Sequence, residues 1–192
     1  MKIACVGEGD TEFFCVPKMV GRLGHVVISN ANLGGCAGDW DYVFSEQVLP
    51  YVRTAALKSP DKILIIVDKE KRQDCCPELV GRASAIVANG LAAVNLITPF
   101  AIVIADRKFE SIVMADYELV DKLPILSRSV SADFGPSLDG KDPKPVVDRA
   151  LRPGSAYHKV RHGSALASKM RLDNQTVLQR SRALRKLVKE LQ

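Results

Sequence analysis

Residues 2–12 read KIACVGEGDTE, a short apolar run that stops at a glycine-flanked turn carrying Glu8, Asp10 and Glu12. Apolar residues giving way abruptly to glycine, acid, glycine describe a buried strand that opens into a tight turn, because glycine adopts backbone angles that a β-carbon resists. Glu8 is then held at the carboxyl end of a strand. Asp10 reads as the N-cap of a following helix, and Glu12 falls in its first turn. The same pattern recurs at residues 62–70, KILIIVDKE, where a second apolar strand runs directly into Asp68 and Glu70. Parallel sheets collect functional groups at the carboxyl ends of their strands, so both stretches are expected to deliver acids to one edge. Carboxylates gathered there repel one another unless a cation sits between them. Their hard oxygens suit magnesium or manganese.

Working outward, apolar strands alternate with helical patterns, the signature of an α/β fold with a mostly parallel sheet and crossover helices. The strands are expected at Lys2 to Val6, His25 to Ser29, Lys62 to Val67 and Phe100 to Ala105. The first helix is expected from about Thr11 to Leu23, bent or delayed by Pro17. Residues 32–38, NLGGCAG, form a glycine-rich loop that lacks both phosphate-loop spacings and reads as a turn near the site more than as a nucleotide cradle. Asp39 is placed to cap a long helix through Val43, Val48, Val52 and Leu57. Residues 69–76, KEKRQDCC, read as a polar connection, and Pro77 to Asn89 as a helix started by proline and stopped by Gly90. After the fourth strand, residues 108–120 suggest a partly buried helix. Glu110 and Asp116 lie on different faces of it and are not expected to share an ion.

Residues 127–145, rich in Ser, Asp, Gly and Pro, read as a long surface loop. Helices are expected beyond it at Pro145 to Leu151, Gly163 to Leu172 and Asn174 to Leu191, the last with Val177, Leu184, Val188 and Leu191 on one face. The expected organisation is a core over residues 1–126, the loop 127–145, and a basic helical extension over 146–192 packed on the core.

The 192 residues are 47% apolar, enough for one compact core, and no run approaches the roughly 20 apolar residues of a membrane span. The start lacks the basic head and apolar core of a signal peptide, so a cytoplasmic location and no membrane partner are expected. Five cysteines without a CxxC spacing argue against a disulfide framework and a structural zinc site. Cys5 and Cys15 read as core residues, whereas the adjacent Cys75 and Cys76 keep a weak claim to redox or metal chemistry. The net charge of +5 hides an asymmetry: residues 149–192 carry 11 Lys and Arg against 2 acids, while the rest of the chain is net acidic. Basic side chains that hold phosphates beside an acidic, cation-binding site fit a polyanion such as DNA or RNA. A solvated basic helix explains the same charge without any ligand.

GEGDTE after a first strand and Asp68-Lys69-Glu70 after a later one resemble the Toprim fold of topoisomerases, primases and the overcoming-lysogenization-defect nucleases. ADRKFESIVMAD (residues 105–116), Asp142-Pro143-Lys144, Tyr157-His158-Lys159 and His162-Gly163 narrow the likeness to a prokaryotic Toprim-like family, whose pattern reads roughly EGxTE, DxD, a glutamate-bearing helix, DPK and YxK. The resemblance covers nearly the whole chain. It implies a Toprim-like, Rossmann-like catalytic core and a role in phage defence. The sequence departs from the pattern at Glu70, where aspartate is usual, and at Val113, where the helix motif has tryptophan.

The resemblance implies roles residue by residue. Glu8 is the acid nearest the chemistry, Asp68 and Glu70 hold the metal, and Glu12 completes a second metal site. Glu110 is either a further metal ligand or the structural partner of an arginine such as Arg107. Lys159 is the first choice for a phosphate contact, followed by Lys144 and Arg161. Tyr157 reads as packed more than stacked on a base, and His162 as capping or opening a helix more than carrying protons. Two functions follow: a magnesium- or manganese-dependent nuclease, or a non-catalytic module that binds nucleic acid or nucleotide and regulates a partner ATPase. DNA or RNA, that ATPase and further copies of the chain are the expected partners.

Overall fold

The structure, a computed structural model, describes residues 1–70 and 74–192. The middle of the expected polar connection, residues 71–73, lies outside the described residues. Four parallel strands, β1 (Lys2–Gly7), β2 (Val26–Asn32), β3 (Lys62–Asp68) and β4 (Phe100–Ala105), form one sheet in the order β2-β1-β3-β4. β1 connects outward to β2 on one side, and the chain then crosses to β3 on the other. This reversal leaves a crevice between β1 and β3 at their carboxyl ends, the position where open parallel sheets bind ligands.

Alternate residues of the central strands face opposite layers, as a two-residue side-chain period requires. Ile3, Cys5, Leu64, Ile66, Ala101 and Val103 pack on one side; Ala4, Val6, Ile63, Ile65, Ile102 and Ile104 pack on the other. Being covered on both faces, these strands read as continuous apolar runs and not as alternating ones. The second layer is a helical stretch of α2 (Trp40–Tyr42), a π-helical segment (Val43–Val48) and α3 (Leu49–Ala56), together with α4 (Cys76–Ala92). Asp39 caps it as expected, its Oδ1 accepting the Tyr42 N–H at 2.9 Å.

α1 (Asp10–Arg22) lies on the first face. Its N-cap is Gly9, so Asp10 is the first helical residue and not the cap. Pro17 lies within α1 and lacks the N–H that a helix would donate to the carbonyl of Phe13. Asn30 of β2 donates its side-chain amide to that carbonyl at 2.8 Å. The proline therefore leaves no orphaned acceptor. α4 runs through Gly90, which was expected to stop it. A β-carbon at Gly90 would lie 2.3 Å from Leu49 Cδ2, so this glycine permits close helix packing.

The carboxyl-terminal half is built from short helices: α5 (Glu110–Val113), α6 (Tyr117–Val120), α7 (Ser131–Phe134), α8 (Lys144–Asp148), α9 (Lys159–Ala167), α10 (Gln175–Gln179) and α11 (Arg182–Glu190). The expected helix over 108–120 is two helices, α5 and α6. The expected loop over 127–145 does not simply lie on the surface, because Val130, Phe134 and Leu138 are buried in the same apolar cluster as α1. α9 begins four residues before the expected Gly163, and the helix expected from Asn174 to Leu191 breaks after Gln179. Ser181 restarts it, its side chain accepting the Leu184 N–H at 3.2 Å. Leu166, Met170, Val177, Leu184, Leu187, Val188 and Leu191 join that cluster, so the basic segment completes the first face of the sheet. Among the described residues, no helix is long and apolar enough to cross a membrane.

Candidate active site at the carboxyl edge of the sheet

A pocket of about 320 Å³ opens at the carboxyl ends of β1 and β3, lined by Glu8, Glu12, Asp68, Glu70, Glu110 and Lys159 among others. Six of the eight site residues read from sequence therefore meet in one place. Gly7 makes the approach possible, since a β-carbon there would lie 2.6 Å from that of Glu12. Glu8 extends the sheet by one bond, donating its N–H to the Ile66 carbonyl at 3.1 Å. Its carboxylate accepts the Asp68 N–H at 2.8 Å and the Cys36 N–H at 3.3 Å, and its carbonyl accepts the Gly35 N–H at 2.7 Å.

These bonds define the glycine-rich loop. Gly34 and Gly35, with φ of 76° and 99°, turn the loop so that its N–H groups point at Glu8. Donors that a phosphate cradle would offer to ligand are thus spent within the protein, Gly34 N–H on Asn32 Oδ1, Gly35 N–H on the Glu8 carbonyl and Cys36 N–H on the Glu8 carboxylate. Gln47, on the π-helical segment, fixes the loop from behind: its amide accepts the Ala37 N–H at 3.2 Å and donates to the Ala37 carbonyl at 2.6 Å.

The remaining acids are arranged in two ways. Glu12 and Asp68 are 4% and 9% exposed, so burial is the largest influence on both. Burial, with repulsion from Glu8 and Glu110, pushes the Glu12 carboxyl up to about 7. Burial, with repulsion from Glu12, Glu8 and Glu110, pushes Asp68 up to about 9, against a smaller opposing pull from Lys108. Glu12 also accepts the Gly9 N–H at 3.1 Å, so it serves its own helix start as well. Glu70 and Glu110 instead carry lysine partners: Lys108 lies 2.7 Å from Glu70, and Lys159 lies 3.0 Å from Glu110. The expected Arg107 partner of Glu110 is replaced by Lys159, which the start of α9 delivers on the same face of the sheet. Glu70 itself sits in the left-handed region, φ 54°, a conformation that costs free energy in a residue with a β-carbon.

Lys144 and Arg161 do not line the pocket. Lys144 pairs with Asp148 one helical turn away, and Arg161 is exposed. Tyr157 is packed against His162, with ring centroids 5.4 Å apart and its hydroxyl buried. His162 accepts the His158 N–H at 2.9 Å through Nδ1 and so caps the start of α9. Asp116 is separate from the acids, held by Arg171 through three hydrogen bonds. The sequence reading missed Lys108 and the Gln47 clamp. Lys108 follows the carboxyl end of β4 and was visible by the rule that found Asp68; Gln47 depends on a π-helical register that no residue pattern announces.

Among the described residues, no group of three or more His, Cys, Asp or Glu side chains is arranged as it stands to hold a metal ion. The pocket supplies hard oxygen donors and stored protons, with two lysines as counter-ions. Such a set can exchange protons near neutral pH, bind a hard cation once side chains reorient, or hold a phosphate against its lysines. No family model, curated protein or solved structure matches the chain.

Proposed function

We propose that this pocket binds magnesium or manganese and hydrolyses a phosphodiester of DNA or RNA, as the resemblance to Toprim-like nucleases implies. The observation that carries the reading is the cluster of Glu8, Glu12, Asp68 and Glu110, in which burial and mutual repulsion raise two carboxyls to about 7 and about 9. Burying several acids side by side is costly for a merely structural arrangement, and a cation among them would lower that cost. The fit is one of donor chemistry: all-oxygen ligands suit a hard dication, while convergence on one ion requires Asp68 to lose its proton and turn. A cation so held supplies an activated water and neutralises charge at phosphorus.

The chain's own residues account for the other tasks. Glu8, oriented by two backbone N–H groups, and Asp68 are the principal ligands, with Glu70 and Glu110 released to the site as their lysines turn to phosphate. Lys159 then contacts a non-bridging oxygen. As water attacks phosphorus and the ester P–O bond breaks, the water's proton would pass to solvent and Glu12, with a pKa near 7, would give its own proton to the departing oxygen. In a contaminant-controlled assay with manganese, wild type cleaves and Glu8→Gln loses about 100-fold or more. Equal cleavage by both would remove Glu8 from the mechanism.

A second reading rests on the two ion pairs. Lys108 and Lys159 already neutralise Glu70 and Glu110 without a metal, which favours a non-catalytic nucleic-acid or nucleotide-binding module that regulates a partner ATPase. Manganese titration separates the two, because the module needs no cation. A role in phage defence rests on the resemblance alone.

A further inference from the structure

A second cleft, of about 520 Å³, shares no lining residue with the acidic pocket; Tyr117, Ser131, Thr176, Gln179 and Arg180 contribute its polar atoms. Arg180 is its distinctive feature. Its guanidinium lies 4.0 Å above the Tyr117 ring, and one nitrogen, Nη1, donates to the Ala115 carbonyl at 3.3 Å. Among the described residues its Nε and Nη2 donate to nothing, and it has no carboxylate partner. Other arginines nearby are engaged: Arg171 pairs with Asp116 and Glu118, Arg182 with Asp106 and Asp139, and Arg128 with Asp133, while Arg185, which among the described residues has no ion pair either, donates Nη1 to the Leu178 and Gln179 carbonyls.

Stacking on a ring fixes the plane of a guanidinium and leaves its edge donors in that plane, the arrangement that matches two oxygens of one anion. The acids near the cleft do not cancel the charge. Asp139 is held by the Arg182 N–H and Nε at 2.8 and 3.0 Å, and Asp133 by Arg128 at 2.7 Å. Asp121 takes the hydroxyls of Ser129 and Ser131. Thr176 and Gln179 flank Arg180 on the same side and make no side-chain hydrogen bond among the described residues, so both remain available to ligand.

We infer that this cleft is a binding site for a small molecule carrying one oxyanion, a phosphate or a carboxylate, gripped through two guanidinium nitrogens of Arg180 with Thr176 and Gln179 beside it. The volume falls within the range of small-ligand sites and leaves room for a body beyond the anion. The site is independent of the acidic pocket and of the nuclease reading.

The test is titration of the full chain with inorganic phosphate, and separately with acetate, at ionic strength held constant with sodium chloride, followed by NMR shifts and calorimetry. Wild type is expected to bind one of the two saturably. Arg180→Lys, which keeps the charge and loses the fork, is expected to weaken that binding about tenfold or more. Arg161→Ala, which removes an exposed cation outside both pockets, is expected to leave it unchanged. Preference for phosphate or for acetate decides which oxyanion the site takes. No saturable binding of either, equal binding by wild type and Arg180→Lys, or the same loss in Arg161→Ala each overturns the inference. Binding of a single-stranded oligonucleotide without binding of either small anion overturns it in favour of a nucleic-acid surface. Should Arg180→Ala unfold, Arg180→Lys still decides.

Discussion

The carboxyl edge of the sheet and the basic segment 149–192 are the two most charged regions of the chain, and they handle charge in opposite ways. At the sheet edge, Glu12 and Asp68 are buried among other acids and are driven toward their protonated forms. In the basic segment, many cations are turned to solvent or matched by nearby acids, as Arg171 is by Asp116 and Glu118, and Arg182 by Asp106 and Asp139. Opposite charges brought into pairs stabilise the fold, whereas like charges buried together raise one another's pKa and suit proton or cation chemistry. The contrast relocates the functional weight that the +9 of the segment seemed to carry. Among the described residues, Lys159 is the cation of that segment that lines the acidic pocket, and Arg180 lines the second cleft without an ion pair.

Arg171 offers the strongest challenge to the comparison. Asp116 is fully buried, and its carboxylate accepts the Arg171 N–H at 3.2 Å and Nε at 3.0 Å as well as Nη2. Burial raises the Asp116 carboxyl, but these bonds outweigh it and hold the group below its ordinary value. Arg171→Ala leaves a buried carboxylate without its counter-ion and is expected to cost about 3 kcal/mol in urea denaturation, at the lower end for buried pairs because the arginine is partly solvated. A loss under about 0.5 kcal/mol would mean that matched pairs of the basic segment are surface ornaments and that the structural half of the contrast is wrong.

The acidic half makes a prediction with a definite sign. Glu12 and Asp68 have ordinary values of 4.5 and 3.8 and rise on folding to about 7 and about 9. The folded chain therefore binds more protons than the unfolded one across that window. Their stabilisation is fully present below about pH 4 and is lost as pH rises through about 7 and then about 9. In EDTA, Asp68→Asn is expected to gain at least about 1 kcal/mol on wild type between pH 5 and 8.5, since one unit of pKa difference corresponds to about 1.4 kcal/mol. Manganese is expected to raise the Tm of wild type at pH 8 and to do little for Asp68→Asn. A stability difference between the two that does not change with pH, or a manganese effect that survives the substitution, breaks the site as described.

Sequence made one half of this contrast legible and concealed the other. β1, β3 and β4 were found nearly to the residue because strands buried on both faces are unbroken apolar runs, and acids that follow such runs must sit at a sheet edge; the edge strand β2, half-buried and ending in SNAN, runs three residues past its expected end at Ser29. That two-step rule located Glu8, Asp68 and Glu70. Helix limits were less legible. Gly90 reads as a stop by propensity, yet its missing β-carbon serves a contact with Leu49 that lies far off in sequence. Ser181 breaks a helix that the spacing of Val177, Leu184 and Leu191 makes look continuous. Pairings are the least legible: nothing in the chain order joins Lys159 to Glu110 or Arg171 to Asp116, because tertiary packing alone brings them together.

The smallest expected effects test whether location or charge alone decides function among the basic residues of the carboxyl-terminal half. Arg161→Ala and Lys144→Ala remove exposed cations outside the pocket, so each is expected to change stability by less than about 0.5 kcal/mol. Neither is expected to move the slope of log affinity for duplex DNA against log salt. Lys159 is different, because it lines the pocket beside Glu110. Removing it alone would strand a buried acid, so the informative variant is the double substitution Lys159→Gln with Glu110→Gln, which keeps both shapes and cancels both charges. Loss of one phosphate contact makes the slope shallower by about 0.9 on a duplex and about 0.7 on a single strand, and the double variant is expected to show that change. The reverse pattern, a shallower slope for Arg161→Ala and Lys144→Ala with none for the double variant, would return the polyanion to the outer basic surface and leave the acidic pocket with a substrate of another kind.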